Sequence, residues 1–392
     1  MFELELNQLS EQHLLRQITP MDACTGSLVT AGGNRALLMC SNDYLGLAAH
    51  PALKLAAVQA MERQGCGSGA SRLVSGTSAF HVELERRIAL FKGTEAALLF
   101  NSGYAANTGI IPAVAQEGDA ILSDSLNHAS IIDGCRLSGA AIHVFRHKNL
   151  DHLEGLLKNT MTMRRRLIVS DGVFSMDGDI ASLPGLVFLA EKYGAILMVD
   201  DTHAIGVLGN TGRGSVEHFG LGNRVHIQMG TLGKALGSFG AYAAGEKKLI
   251  DYLMNTARTF MFSTSLPSPV CAASIVAFDV LENEPERRER LWSNRSRFVK
   301  GLEVLGISIG NSETPVIPIL VGDSNKALQA GKELYRQGVY ASAIRPPTVP
   351  ENTSRIRTTM TSELSDTDID FALTVFGNVK QEGLIPDGIV GQ

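Results

Sequence analysis

No apolar run in the 392 residues approaches the ~18 needed to cross a bilayer, so no membrane partner is expected. The amino terminus, Met1-Phe2-Glu3-Leu4-Glu5-Leu6, is acidic, which argues against a secretory leader. Charge is sparse as well: 19% of residues are charged against 44% hydrophobic, a composition of folded globular chains rather than disordered or fibrous ones. Basic clusters are scarce. Arg164-Arg165-Arg166 is the one block, it precedes an apolar run, and it reads as a solvated loop; with a net charge of −5 this excludes nucleic acid as a bulk partner. The five cysteines (Cys24, Cys40, Cys66, Cys135, Cys271) are odd in number and scattered without metal-ligand spacing. They read as reduced thiols of a cytoplasmic protein. Glycine alone is abundant, with forty residues in no repeating period, which excludes collagen-like structure and implies many tight turns.

The length suits one large domain and one smaller one. Between Ala96 and Gly245, short apolar runs alternate with helical patterns. The strand candidates are Ala96–Phe100, Ala120–Ser123, Ala141–Phe145, Leu167–Ser170, Ala195–Asp200, His226–Met229 and Ala241–Ala244. Helix candidates between them are Ala105–Ala115, Ala129–Ser138, Leu150–Lys158 and Pro184–Tyr193. This order predicts an α/β fold: a mostly parallel seven-stranded sheet with helices on both faces, function gathering at the carboxyl ends of the strands. After Leu266 come helices Pro269–Asn283 and Pro285–Leu305, strands Val316–Val321, Val339–Ile344 and Arg355–Thr361, and helices Lys326–Gln337 and Asp366–Val379. We expect an N-terminal segment 1–45, a large domain 46–283 and a small α+β domain 284–392.

Two signatures stand out at strand ends. Val199-Asp200-Asp201-Thr202-His203 delivers acids after a buried run, and Gly230-Thr231-Leu232-Gly233-Lys234-Ala235-Leu236-Gly237 brackets a lysine with small residues. A phosphate-binding P-loop is a poor fit, because Gln228 stands at its first glycine position and Ala235 follows the lysine. A lysine and a carboxylate on separate strand ends suit pyridoxal 5′-phosphate (PLP): the amine bonds its aldehyde and the acid pairs with its ring nitrogen. Burial would keep the Lys234 amine nucleophilic, whereas a surface lysine in a glycine-rich loop is the plainer reading. His203 could donate to the ring's phenolic oxygen or orient Asp200. Asn101-Ser102-Gly103-Tyr104 opens a helix whose free N–H groups favour phosphate, and Thr231 and Ser263-Thr264-Ser265 add hydroxyls. His128 could stack on a planar ring, and Ser175 sits at a strand end within reach of such a ring. The acids of Asp171–Asp179 lack EF-hand spacing, so no metal is expected. Arg355 and Arg357 share one strand face, and an arginine fork suits a substrate carboxylate. The loop Gly65–Arg72 reads equally as a flexible turn or a substrate channel.

In order and spacing these motifs resemble the α-oxoamine synthases, a family of fold-type I PLP-dependent enzymes, from Leu15 to Phe376. The resemblance rests further on Ser41-Asn42-Asp43-Tyr44-Leu45-Gly46-Leu47, Ser71-Arg72-Leu73-Val74-Ser75-Gly76, Phe174–Asp179 and Ala343-Ile344-Arg345-Pro346-Pro347-Thr348-Val349-Pro350. It implies an acyltransferase that condenses a small amino acid with an acyl thioester and releases carbon dioxide. The last motif points to the branch using L-alanine and a pimeloyl thioester, carried on CoA or acyl carrier protein. Glycine C-acetyltransferase and long-chain aminoketone synthases are the alternatives. By resemblance Lys234 is the Schiff-base lysine, Asp200 pairs the ring nitrogen, His203 and Ser175 contact the phenolic oxygen, and His128 stacks on the ring beside the substrate. Gly103, Tyr104 and Thr231 hold the phosphate, with Thr264 from a neighbouring subunit, so a homodimer with a shared site is implied. Arg16 and Thr348 match positions that contact substrate, Arg345 lies near the acyl group, and Arg357 holds the amino-acid carboxylate. Two positions depart from the family pattern: Asp171 stands where glutamate is common, and Tyr104 where phenylalanine is.

Overall fold

The computed structural model describes residues 2–16, 18–23 and 26–387; Cys24, Gln17 and the last five residues of the expected small domain lie outside them. The chain forms two compact units. The larger comprises Leu47–Ser175 and Ile180–Pro285; the smaller gathers the residues up to Gly46, Met176–Asp179, and those from Glu286 onward.

The larger unit is built on seven strands: β1 (Ala96–Phe100), β2 (Ala120–Asp124), β3 (Ala141–Phe145), β4 (Arg166–Asp171), β5 (Ile196–Asp200), β6 (Ile227–Thr231) and β7 (Ala241–Gly245). Their spatial order is β1-β7-β6-β5-β4-β2-β3. All neighbours run parallel except β7, which is antiparallel to both β1 and β6. The central strands are buried on both faces, and side-chain alternation sorts them into two cores. Val169, Met198, Ile227 and Met229 belong to one cluster, Ile168, Leu197 and Val199 to the other. That alternation also decides the chemistry at the end of β5. Asp200 follows Met198 onto one face, and Asp201 follows Val199 onto the opposite one.

Two helices place the remaining groups: α1 (Gly103–Val114) after β1 and α2 (Ala129–Ser138) after β2. Ser102 caps α1, its Oγ accepting from the Ala105 N–H at 3.1 Å. His128 caps α2 with its ring, Nδ1 accepting from the Ser130 N–H at 3.2 Å. In the arginine triplet Arg164 and Arg165 are exposed, as a solvated loop would have them, yet the triplet is anchored at both ends. Arg164 grips the buried Asp119 with two bonds of 2.9 and 2.8 Å, and Arg166 opens β4.

In the smaller unit, Met21–Ala23, Leu28–Ala31 and Asn34–Leu38 pair into a sheet that Val339–Tyr340 completes. The N-terminal segment therefore contributes strands of its own. The expected single strand Val339–Ile344 is two pieces, because the chain changes sheets at Ala341: Val339–Tyr340 runs parallel to Asn34–Leu38, and Ser342–Ile344 pairs with Ser354–Thr359. Short runs of apolar residues carry no mark of such a switch.

Candidate active site

The carboxyl ends of β4, β5 and β6 and the starts of α1 and α2 enclose a cavity of about 150 Å³ in the larger unit. From α1 come Gly103, Tyr104 and Asn107, and from the start of α2 come His128 and Ser130. Asp171 and Ser175 follow β4; Asp200, Thr202 and His203 follow β5; Thr231 and Lys234 follow β6. Lys234 and Asp200 thus open onto one cavity. Lys234 is half-buried, in a turn closed by the Gly237 N–H donating to its carbonyl at 2.8 Å. Gly237 sits at φ +60°, and a Cβ there would lie 2.3 Å from the Ala48 nitrogen, so turn and packing both require glycine.

Asp200 is 4% exposed and held from two sides. Its Oδ1 accepts from the Thr202 N–H at 3.0 Å and its Oδ2 from the Asn107 amide at 2.8 Å. On the reverse face Asp201 takes a bond of 3.0 Å from Lys92 Nζ, and Ser215 donates to it from both N–H and hydroxyl. The consecutive acids thus have separate duties: Asp200 faces the cavity, and Asp201 pins the strand end from behind.

His128 is tied at three points. Its N–H donates to Asp171 Oδ2 at 2.7 Å, and Nδ1 meets the Ser130 hydroxyl at 2.7 Å and the Ser130 N–H. Burial, aided by the Lys234 charge and opposed by Asp200, holds the imidazole pKa below its ordinary value. Burial, then the neighbouring Asp200, pushes Asp171 well up, and the His128 N–H offsets part of this. The shorter acid at position 171 therefore serves to hold the histidine backbone. Tyr104 donates its hydroxyl to Asp133 on α2, so this hydroxyl is engaged outside the cavity and phenylalanine would leave the wall intact.

The cavity suits a planar ring bearing phosphate. The N–H groups of Gly103 and Tyr104, first in α1, have no acceptor within the helix. Thr231 Oγ1 beside them is buried with no hydrogen-bond partner among the described residues. A Cβ on Gly103 would lie 2.8 Å from Thr231 Cγ2, so glycine is what lets the helix start approach the strand end.

The chain matches the family model of class I and II aminotransferases over residues 34–376. The 8-amino-7-oxononanoate synthase of Geotalea daltonii is 52% identical over 96% of this chain and 97% of its own. This chain belongs to the 8-amino-7-oxononanoate synthase family. Among solved structures, serine palmitoyltransferase from S. paucimobilis with PLP and myriocin bound is 30% identical, covers 98% of each chain and superposes with a TM-score of 0.94. The 8-amino-7-oxononanoate synthase of Francisella tularensis, 27% identical, covers 89% of this chain and 99% of its own at a TM-score of 0.78.

Of the remaining site residues expected from the family, Thr264 is exposed and absent from this cavity; its carbonyl accepts from Asn101 Nδ2 at 2.6 Å. Arg16, Arg345, Thr348 and Arg357 belong to the smaller unit. There Arg16 Nη2 donates to Thr348 Oγ1 at 3.3 Å, and Arg345 donates to the His13 carbonyl. Arg357 is 5% exposed and donates to Asn42 Oδ1 at 3.1 Å, with the Tyr44 hydroxyl also bonded to it. The Ser41–Leu47 motif therefore serves Arg357. Its strand neighbour Arg355 instead pairs with Asp177 at 2.6 Å. The glycine-rich loop is likewise anchored, Arg72 holding Glu85 in two bonds of 2.8 and 3.0 Å. Sequence reasoning passed over Asn107, Ser130 and Thr202. Asn107 lies just beyond Asn101-Ser102-Gly103-Tyr104, and its spacing of one helical turn from Gly103 was the available signal.

Proposed function

We propose that this chain is a PLP-dependent acyltransferase that condenses L-alanine with a pimeloyl thioester, on CoA or acyl carrier protein, giving 8-amino-7-oxononanoate, carbon dioxide and free thiol in biotin biosynthesis. The observation that carries this reading is the single cavity onto which Lys234 and Asp200 both open, in a chain 52% identical to a synthase of that name. Bound PLP supplies a protonated pyridine ring able to take up the electron pair left at the amino acid's α-carbon.

The protein's own groups do the rest. Lys234 Nζ would hold the cofactor's aldehyde carbon, and its amine would serve as the general base for the substrate's α-proton. The Asp200 carboxylate keeps the ring nitrogen protonated through its opposite charge, an effect of roughly 1–3 pKa units. His128 covers one ring face, and His203 and Ser175 address the phenolic oxygen. Gly103, Tyr104 and Thr231 hold the phosphate. Arg357 grips the substrate carboxylate and so selects which bond at the α-carbon stands perpendicular to the ring. Arg16, Thr348 and Arg345 meet the acyl substrate.

The working unit is a homodimer with a shared site. Thr264, exposed in its own chain beside the exposed Phe262, completes the phosphate site of the second copy. No helix among the described residues is long and apolar enough to cross a membrane, and the four described cysteines are free thiols, which suits the cytoplasm. The test is carbon dioxide release with alanine, glycine or serine against acetyl-, pimeloyl- and palmitoyl-CoA. Turnover confined to alanine with the pimeloyl thioester supports the assignment; preference for glycine with acetyl-CoA, or for a long-chain thioester, overturns it.

A further inference from the structure

We propose that Asn107 is a positioning residue which orients the Asp200 carboxylate directly and, through Ser130, fixes the tautomer of His128. Asn107 is 1% exposed, one turn into α1. Its amide nitrogen has two N–H bonds and both are used: one donates to Asp200 Oδ2 at 2.8 Å, the other to Ser130 Oγ at 2.9 Å. The opposite amide orientation would press the carbonyl oxygen against the Asp200 carboxylate, so chemistry settles which atom is nitrogen.

Directionality then runs along the chain of bonds. Both Asp200 oxygens are engaged as acceptors, Oδ2 by Asn107 and Oδ1 by the Thr202 N–H, which fixes the plane of the carboxylate. Ser130 Oγ receives from Asn107 and keeps a hydroxyl proton that can turn to His128 Nδ1, 2.7 Å away. The Ser130 backbone N–H points at the same nitrogen from 3.2 Å, an independent sign that Nδ1 is bare. His128 is thereby a neutral imidazole with its proton on Nε2. The charged and titratable groups around this chain are Asp171 from β4, His203 beyond β5, Lys234 beyond β6 and Tyr242 of β7 behind the sheet.

The consequence is a division of labour. Asp200 is held in a fixed orientation toward the ring nitrogen it would address, while a neutral His128 brings no second positive charge beside it. This inference rests on the reading of the cavity as a PLP site. One amide serves both halves because its two N–H bonds diverge, one toward the end of β5 and the other toward the start of α2.

The experiment is ¹⁵N NMR of histidine-labelled holoenzyme, with His128 assigned from the His128→Gln spectrum. The wild type is expected to show a bare Nδ1 and a protonated Nε2. Ser130→Ala removes the 2.7 Å hydroxyl contact and leaves only the longer 3.2 Å backbone N–H at Nδ1, so it should admit a fraction of the Nδ1-protonated tautomer, and Ser130→Thr should restore the wild-type pattern. Asn107→Leu should relax it in the same way and weaken PLP retention about tenfold, as expected for a lost hydrogen bond to a charged group. A protonated Nδ1 in the wild type, or an unchanged tautomer in folded Ser130→Ala, overturns the proposal. The same spectra taken without PLP separate the two readings. A wild type that takes up no PLP defeats the cofactor assignment, whereas a bare Nδ1 that depends on Ser130 still upholds the bond chain.

Discussion

Removing Lys92 should unfold the larger unit far more readily than its distance from the cavity suggests. The Lys92 side chain is 1% exposed and that of Asp201 is 0% exposed, with 3.0 Å between Nζ and Oδ2. Lys92→Met keeps the aliphatic volume and deletes the charge, leaving a buried carboxylate with only the Ser215 donors. Breaking a buried pair in this way costs ~3–5 kcal/mol, because the surviving charge has lost its counterion and cannot reach water. For a unit of this size that corresponds to roughly 10 °C in Tm. Substituting both partners, Lys92→Met with Asp201→Leu, removes the stranded charge and should recover most of the loss. Urea unfolding at neutral pH, followed by far-ultraviolet circular dichroism, measures all three proteins. A single variant losing under ~1 kcal/mol, or a double variant no more stable than the single one, would refute the view that Asp201 anchors the strand end through this pair.

Three further outcomes are expected. Arg357→Lys should raise KM for the amino acid by about 10–100-fold while leaving KM for the acyl thioester nearly unchanged, since a point charge cannot reproduce a two-bond grip on a carboxylate; steady-state kinetics with each substrate varied would check this. His81 is held at a pKa of about 4, chiefly by burial and then by the Arg72 charge, against an ordinary 6.5. Because the unfolded chain binds that proton first, stability should fall as pH drops from about 6.5 towards 4, and His81→Leu should flatten that slope in urea titrations across the range. Thr264→Ala should weaken PLP retention only if the second copy supplies that hydroxyl. Mixing it with a Lys234→Ala chain then yields hybrid dimers in which one site has both residues intact, and recovery of activity on mixing is the expected result.

The α/β architecture was readable because the central strands are continuous apolar runs bounded by turns, a pattern that buried parallel strands impose. Six of the seven strand candidates end within one residue of the observed ends, and the His226–Met229 candidate stops two short, at Met229 rather than Thr231. The chemistry at those ends was readable for the same reason: a polar residue directly after an apolar strand marks the sheet's carboxyl edge. What stayed hidden depends on contacts between distant segments. Nothing near Asp201 announces Lys92, which lies 109 residues away. Asn107 looks like any polar residue on a helix until α1 is laid against β5. The switch between sheets at Ala341 was missed because pieces of two and three residues leave too short a pattern, and Leu28–Ala31 and Asn34–Leu38 because they mix polar with apolar residues instead of forming a continuous apolar run.

The central claim is that Lys234 forms the covalent attachment for PLP within the cavity it shares with Asp200. Borohydride reduction of PLP-loaded protein, followed by peptide mass mapping, tests it most directly. A phosphopyridoxyl group on the peptide containing Lys234, lost in Lys234→Ala, is the expected result; label on a different lysine, or none at all, would contradict it.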